Sequence, residues 1–152
     1  MRAMVLVALV VAVTGCKAER RSGLAEAARA CHDDDAEVSC GRPIFNVRNL
    51  KASVEYYRDV LGFKVDWTYG DPPDFGSVTR GNGTLFLCEG CQGTPGAWAW
   101  FFARDVDALH RELKAKQAKI RMEPKDMPWG VREMQVADLD GNVMRFATGI
   151  DD

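Results

Sequence analysis

The sequence predicts an α+β domain made of two similar units, each a strand, a helix and three further strands, with curved mixed sheets and the helices outside. Two observations predict this fold. Candidate helix caps at Asn49 and Asp105 are 56 residues apart (105 minus 49), and the predicted elements recur in the same order around each cap. Apolar positions repeat at the same offset: Leu50 with Val106, and Tyr57 with Leu113. Neither unit can bury a helix face and a sheet face alone, so we expect one domain over residues 43–149.

The first unit begins with "PIFNV", which predicts a short strand. Asn49 is a good N-cap, and Gly62 is placed to end the helix that follows. One apolar face of this helix is predicted from the spacing of Leu50, Val54, Tyr57 and Leu61. "FKVDWTY" alternates and predicts a strand, and "GDPPD" predicts a loop. "FGSVTR" and "TLFLC" then form a hairpin, with Asn82-Gly83 as the turn signal.

The second unit follows the same order. "AWAWFFA" predicts a strand, and Asp105 caps a helix whose apolar face is Val106, Leu109 and Leu113. His110 lies on this helix and is expected to face solvent. "AKIRM" predicts a short strand and "EPKDMPWG" a loop. "VREMQVA" and "NVMRFAT" predict two strands joined by the turn "DLDG", to which we assign no chemistry.

The N-terminal region is predicted to be an export signal. "MRAMVLVALVVAVTGC" has one early positive charge, then an apolar run, then small residues, and it is too short to span a bilayer. Its ending, "VTGC", resembles the lipobox of bacterial lipoproteins, which implies removal of residues 1–15 and acylation of Cys16. The alternative is an ordinary secretory signal with a coincidental cysteine.

The address and the domain boundaries follow from that signal. We expect an exported protein, lipid-anchored to a bacterial membrane on its periplasmic or cell-surface face. Residues 16–42 form the lipidated tether, and residues 150–152 form a C-terminal tail. The formal net charge of -2 argues against nucleic acid as a partner, because nucleic-acid binding needs a basic footprint.

Cysteine usage agrees with export. Apart from Cys16, the chain has four cysteines, an even number that suits an oxidising compartment: Cys31, Cys40, Cys88 and Cys91. Sequence alone cannot choose among three pairings, and the local pairs, Cys31 with Cys40 and Cys88 with Cys91, are the first choice. A redox or zinc role for "CEGC" is the alternative.

Two segments carry a family resemblance. "VRNLKASVEYYRDVLGFKV" and "PWGVREMQVADLDGNVMRF" resemble the paired signature of the vicinal oxygen chelate superfamily. That superfamily includes glyoxalase I, extradiol dioxygenases, fosfomycin-inactivating enzymes and bleomycin resistance proteins. The resemblance covers about Pro43 to Gly149 and implies a paired βαβββ fold around a cleft. It also implies frequent assembly as dimers, so a homodimer is an arrangement to test.

The metal-ligand positions of the superfamily carry over poorly to this chain. The resemblance places a His near the start of each unit's first strand and a Glu in the last strand. Those positions fall at Arg42, Trp98 and Arg145, and none of these side chains is a metal ligand. The resemblance therefore implies the metal-free, bleomycin-resistance-like branch, with no metal, no cofactor and no catalytic residue.

Strand alternation predicts which side chains face the cleft. The candidate ligand-binding residues are Asn46, Trp98, Trp100, Phe102, Trp129 and Arg145. Indole and phenyl faces stack on flat ligands, and a guanidinium offers a bidentate contact to a carboxylate or phosphate. The alternatives are that the tryptophans fill the cleft or a dimer interface, and that Arg145 pairs with Glu133.

The expected function is the capture of a small amphipathic molecule by a membrane-tethered domain without metal catalysis. The first alternative is a metal-dependent lyase, transferase or dioxygenase that uses other ligands. The substitutes would be Glu133, Gln135, Asp138 or Glu123. The second alternative is a domain that binds no small molecule and supports a protein partner.

Overall fold

The computed structural model describes residues 41–150. The predictions for residues 1–40, including acylation of Cys16 and pairing of Cys31 with Cys40, lie outside this range. Neither of the two helices within it is long and apolar enough to cross a membrane.

Two successive units of identical element order build the domain. In the first unit the elements are β1 (Ile44–Val47), α1 (Leu50–Asp59), β2 (Lys64–Gly70), β3 (Pro73–Arg80) and β4 (Gly83–Glu89). In the second they are β5 (Trp98–Phe102), α2 (Val106–Ala115), β6 (Lys119–Met127), β7 (Val131–Ala137) and β8 (Val143–Gly149). The predicted α+β class and the internal repeat are confirmed.

Each unit folds into its own four-stranded mixed sheet. Sheet A has the strand order β1-β4-β3-β2, and sheet B has the equivalent order β5-β8-β7-β6. The first strand of each unit runs parallel to the last, and the other pairings are antiparallel. The parallel pairing follows from the helix between the first two strands, which provides the crossover.

Both helices begin at the predicted caps. The side chain of Asn49 accepts a hydrogen bond from the amide of Ala52 at 2.8 Å. Asp105 accepts one from the amide of Ala108 at 2.9 Å, so each cap satisfies one of the free N–H groups of the first turn. Leu50 and Tyr57 of α1 and Val106 and Leu113 of α2 are buried, which confirms the predicted helix faces.

One hydrophobic core joins the two units. Residues from both helices and from one face of each sheet belong to a single cluster, including Phe45, Leu87, Met134, Met144 and Phe146. The opposite faces of the sheets carry aromatic side chains outside this core. On sheet A, Trp67, Phe75 and Phe86 form a cluster with ring centroids 5.4 to 5.6 Å apart.

Polar contacts also connect the units. The hydroxyl of Tyr57 donates to Oδ2 of Asp138 at 3.2 Å, and both residues are buried. Arg80 of β3 donates to Oε2 of Glu112 on α2 at 2.7 Å. The tip of the β3–β4 hairpin touches β5, where a Cβ added to Gly83 would lie 2.9 Å from Cδ1 of Phe101.

Three predicted boundaries are wrong. β3 begins at Pro73, inside the segment "GDPPD" that was predicted to be a loop. The β3–β4 hairpin is present, but its two turn residues are Gly81 and Asn82, because Arg80 pairs with Gly83. The strand predicted to end at Met122 continues to Met127, through Pro124. Since β6 is at the edge of sheet B, a residue without an N–H group is tolerated there.

Candidate functional site

The face of sheet B that points away from the core carries large exposed aromatic side chains. Along β5, Trp98, Trp100 and Phe102 are 53%, 43% and 75% exposed, whereas Ala99 between them is buried. This alternation is the consequence of the pleat, which turns successive side chains to opposite faces. Trp129, in the loop between β6 and β7, is 59% exposed and joins the same face. We call this surface the aromatic face.

An ion pair forms the floor of the aromatic face. Nε of Arg145 donates to Oε1 of Glu133 at 2.7 Å, and Nη2 donates to Oε2 at 2.7 Å. Glu133 is fully buried, and hydrogen bonding to it raises the pKa of Arg145. Trp100 supplies a third donor, because its Nε1 lies 3.4 Å from Oε2 of Glu133. A buried carboxylate that accepts from three N–H groups in this way fixes the guanidinium plane.

The aromatic rings surround this pair. The rings of Trp100 and Phe102 meet edge to face, with centroids 4.4 Å apart. Cζ of Arg145 lies 5.9 Å from the ring centroid of Trp129. Cζ of Arg121, on β6, lies 5.7 Å from the ring centroid of Trp98, so a side chain from one edge of sheet B reaches over to the other.

The floor is covered by these larger side chains. Three small apolar residues of β7 and β8 are almost completely buried although they point to the aromatic face: Ala137, Val143 and Ala147.

Trp100 and Phe102 also line a hollow of about 880 Å³ that extends to α2 and the β3–β4 turn. Trp98, Trp129 and Arg145 do not line this hollow, so its volume does not describe the aromatic face. The arrangement can hold a flat molecule against indole and phenyl surfaces.

The structure brings together five of the six predicted ligand-binding residues. Trp98, Trp100, Phe102, Trp129 and Arg145 lie on the aromatic face. Asn46 lies elsewhere, on β1 of sheet A. Its side chain donates to the carbonyl oxygens of Cys91 at 3.0 Å and Gly93 at 3.2 Å, so it holds the loop that leads to β5.

The sequence left two hypotheses for Arg145: a contact to an anionic group of the ligand, or an ion pair with Glu133. The structure does not present Arg145 as an open anion contact. Its Nε and Nη2 are both engaged by Glu133, which agrees with the other hypothesis, a structural ion pair. The structure also shows where the residues lie that the resemblance puts at the other two metal-ligand positions. Arg42 lies over the ring of Phe86 at 5.6 Å, and Trp98 is on the aromatic face.

The substitute metal ligands lie in different places. Glu133 is at the floor of the aromatic face, with Gln135 opposite Arg145 on the neighbouring strand. Asp138 is enclosed in the turn after β7, where Asn142 donates to it, and Glu123 contacts Lys114 of α2 at 3.0 Å. Within residues 41–150, no three His, Cys, Asp or Glu side chains are grouped so that they could hold a metal ion.

Two further sequence expectations can be compared with the structure. His110 was expected to face solvent, and this is wrong, because only 12% of its side chain is exposed. Its Nε2 lies 2.8 Å from Oε2 of Glu123, without hydrogen-bond geometry. Cys88 and Cys91 are joined by a disulfide, with Cα atoms 5.8 Å apart.

Sequence reasoning missed Arg121. Simple alternation would place Arg121 and Glu123 on one face, but register shifts occur between Ile120 and Met122 and between Met122 and Lys125. Arg121 consequently reaches Trp98, whereas Glu123 reaches α2. The proline at position 124 was the only available sign of this irregularity.

Comparison with known protein families identifies one that matches most of the chain. Residues 40–146 match the Glyoxalase/Bleomycin resistance protein/Dioxygenase superfamily. No curated protein shows a significant sequence match to the chain.

Solved structures share the fold. A bleomycin-binding protein from Streptomyces verticillus, complexed with copper(II)-bleomycin, is 28% identical with a TM-score of 0.61, over 75% of this chain and 98% of that one. TnmS3, an antibiotic-binding protein from a Streptomyces species, is 22% identical with a TM-score of 0.61, over 75% and 98%. A glyoxalase-related enzyme from Clostridium phytofermentans is 23% identical with a TM-score of 0.63, over 78% and 100%.

Proposed function

Because the chain belongs to the glyoxalase/bleomycin resistance protein/dioxygenase superfamily, we propose that its domain binds a small, flat, amphipathic molecule without metal catalysis. The observation that carries this proposal is the aromatic face. Large aromatic side chains stand exposed around a buried ion pair that fixes their floor. Contiguous exposed apolar surface of this kind marks binding sites on soluble domains.

The aromatic face is not required by the core. The core cluster includes residues from both sheets and both helices, and Trp98, Trp100 and Phe102 are not among them. Fully burying a large apolar side chain is worth about 1.5–3 kcal/mol, and these side chains, which are 43–75% exposed, forgo part of that free energy. A ligand that covers them recovers part of this free energy.

The bleomycin-binding protein gives independent support. At 28% identity it is the most similar in sequence of the three structures described above, and it is a binding protein for a small-molecule antibiotic. TnmS3 is likewise an antibiotic-binding protein, although at 22% identity its likeness concerns the fold.

Ligand capture is tested by tryptophan fluorescence of the full chain carrying Cys16→Ser, titrated with a small-molecule library. A binder gives saturable quenching, which Trp98→Ala abolishes and Trp98→Phe retains in part. Quenching that is unchanged in Trp98→Ala would place binding elsewhere. A complete lack of saturable quenching would instead favour a domain that only supports a protein partner.

Metal analysis separates the binding protein from an enzyme. The same purified protein is expected to contain no stoichiometric divalent ion, because Arg42, Trp98 and Arg145 stand at the superfamily's ligand positions. Near-equimolar zinc, manganese, nickel or iron would overturn the metal-free proposal and favour a lyase, transferase or dioxygenase.

We also propose that lipid on Cys16 tethers the domain to the outer side of a bacterial membrane. The support is the lipobox-like "VTGC" at the end of the apolar N-terminal run. Cys16→Ser should move the exported protein from the membrane fraction to the soluble fraction. An unchanged distribution between the two fractions would remove the tether from the proposal.

A homodimer completes the proposal. Sheet A carries the Trp67, Phe75 and Phe86 cluster on its face outside the core, and a second copy could cover this cluster. Sedimentation velocity of the soluble form should show a dimer that dissociates on dilution. A monomer that still binds ligand would contradict the proposed dimer but not the proposed binding function.

A further inference from the structure

We infer, on the basis of the binding function proposed above, that the ligand of the aromatic face is an aromatic anion and that Arg121 and Lys125 of β6 contact its negative group. Neither residue was a candidate from the sequence. The inference depends on which charges of this face are already neutralised and which are not.

Five charged side chains point to the aromatic face. Arg145 and Glu133 form its floor, and Arg121 lies against Trp98. Lys119 and Lys125 are directly opposite Ala137 and Glu133 in the β6–β7 pairing, and residues opposite each other in an antiparallel pair point to the same face. Four cations and one carboxylate give this face a formal charge of +3 (4 minus 1), whereas the whole chain carries -2.

The carboxylates next to Arg121 and Lys125 along β6 point elsewhere. Glu123 contacts His110 and Lys114 of α2, and Asp126 pairs with Arg132 at 2.8 Å. Over residues 41–150, neither Arg121 nor Lys125 has an ion-pair partner within 4.0 Å. Arg121 contacts Trp98 and Lys125 lies beside the Arg145–Glu133 floor, so these two cations are the ones placed to neutralise an anionic ligand.

Arg145 is the weaker contact for an anion, because its charge is already balanced by Glu133. Its Nε and Nη2 both donate to a carboxylate that is fully buried. Turning the guanidinium toward a ligand would leave the charge of Glu133 buried without a partner, which is strongly unfavourable. The ion pair therefore fixes the floor of the aromatic face, and Arg121 and Lys125 of β6 contact the ligand.

The position of Arg121 defines the ligand class. Its Cζ lies over the Trp98 ring, 5.7 Å from the ring centre, so a flat molecule that binds at this indole meets the guanidinium. An anionic group attached directly to the aromatic body, as in an aromatic carboxylate or sulfonate, can reach both the indole and the cation. A neutral molecule of the same shape would gain only the stacking contact.

Three probes with one aromatic body test this inference: 2-naphthoate, 2-naphthalenemethanol and protonated 2-naphthylmethylamine. Their dissociation constants are measured by isothermal titration calorimetry with the full chain carrying Cys16→Ser. The naphthoate should bind about tenfold more tightly than the alcohol, which is the size of one charge-assisted hydrogen bond. Its advantage should shrink as salt concentration rises.

Arg121→Gln should bring the naphthoate close to the affinity of the alcohol and leave the alcohol nearly unchanged. Lys125→Gln should have a smaller effect in the same direction. Arg111→Gln is the matched control, because it removes the same charge from an exposed position on α2 and should preserve the preference.

The outcomes distinguish this inference from the proposed function. If all three probes bind equally, or the amine binds most tightly, the domain is a binder but the anion preference is wrong. The assignment to Arg121 is also wrong if Arg111→Gln weakens the naphthoate as much as Arg121→Gln does. If none of the probes binds while the library titration still gives saturable quenching, the domain is a binder and the inference about its ligand is wrong. If the library also gives no quenching, the proposed function fails as well.

Discussion

The hydroxyl of Tyr57, on the helix of the first unit, donates a hydrogen bond to the buried carboxylate of Asp138, in the last turn of the second. Asp138 also accepts from the backbone amides of Asp140 and Asn142, both at 2.9 Å. One carboxylate thereby closes its own turn and fixes the position of the other unit's helix.

Replacing Tyr57 by phenylalanine should therefore weaken the contact between the units. The variant keeps the buried ring but removes a donor to a charged group, so the free energy of unfolding should fall by about 1.5 kcal/mol. Urea denaturation monitored by circular dichroism measures this. Tyr69→Phe is the control, because that ring is 63% exposed and the change should have no effect. Equal stability of the two variants would mean that the Tyr57 hydroxyl contributes nothing.

Asp138 should give an unusual pH dependence of stability. Burial raises the pKa of its carboxyl, although hydrogen bonds from Asn142 partly oppose this, and nearby Asp140 raises it further. The folded state then holds the proton more tightly than the unfolded state. Its contribution to stability is present below an unfolded pKa of about 3.9 and is lost as pH rises through the higher folded pKa.

This sign can be measured as a difference between two proteins. The unfolding free energy of the wild type minus that of Asp138→Asn should decrease as pH rises from about 4, and then level off above the raised folded pKa. Denaturant titrations over a pH series provide the values. A difference that grows with pH would show that the hydrogen bonds from Asn142 outweigh the cost of burial.

The Arg145–Glu133 pair should show strong energetic coupling. Glu133→Gln and Arg145→Gln should each cost about 2–3 kcal/mol, because each leaves the remaining charge without its counter-ion. The double variant should cost at least about 1 kcal/mol less than the sum of the two. Additive losses in this double-mutant cycle would mean that the two side chains act independently.

Gly83 should not tolerate a side chain. A Cβ there would lie 2.9 and 3.0 Å from two carbons of the Phe101 ring, so Gly83→Ala must displace β5 or the hairpin and should cost about 1–3 kcal/mol. Gly149→Ala is the matched control, since nothing lies within 4 Å of its Cβ position. Thermal unfolding of both variants makes the comparison. Equal melting temperatures would show that the hairpin tip yields easily.

Trp129 should contribute to ligand affinity and not to folding. Its ring is 59% exposed, so Trp129→Ala should leave the unfolding free energy unchanged. Loss of a stacking surface should weaken 2-naphthoate by about three- to tenfold, and Trp129→Phe should weaken it less. Calorimetric titration measures the affinities. A drop in stability with unchanged affinity would make Trp129 a structural residue.

Much of the fold could be predicted because local patterns determine it. The apolar spacing in α1 and α2 follows the helical period, and the caps at Asn49 and Asp105 are local signals. The continuation of β6 through Pro124 could not be predicted locally, because a proline in a strand is acceptable only at an edge. Edge position is a property of the whole sheet.

The same distinction applies to the candidate site. Alternation along "WAWFF" was enough to place Trp98, Trp100 and Phe102 on one face. The partners of Arg145 and Arg121 required the strand register. Sequence reasoning therefore kept the pairing with Glu133 only as one of two hypotheses, and it missed the contact between Arg121 and Trp98.

Pro124 has a consequence for how molecules of this protein meet. An outer strand normally presents a row of backbone donors and acceptors on which a foreign strand can assemble, and a proline interrupts that row. Charged side chains along β6, including Lys119, Arg121 and Lys125, make sideways strand addition less favourable still. Edge-to-edge association of copies through β6 is therefore disfavoured. The exposed indole rings remain accessible for ligand binding.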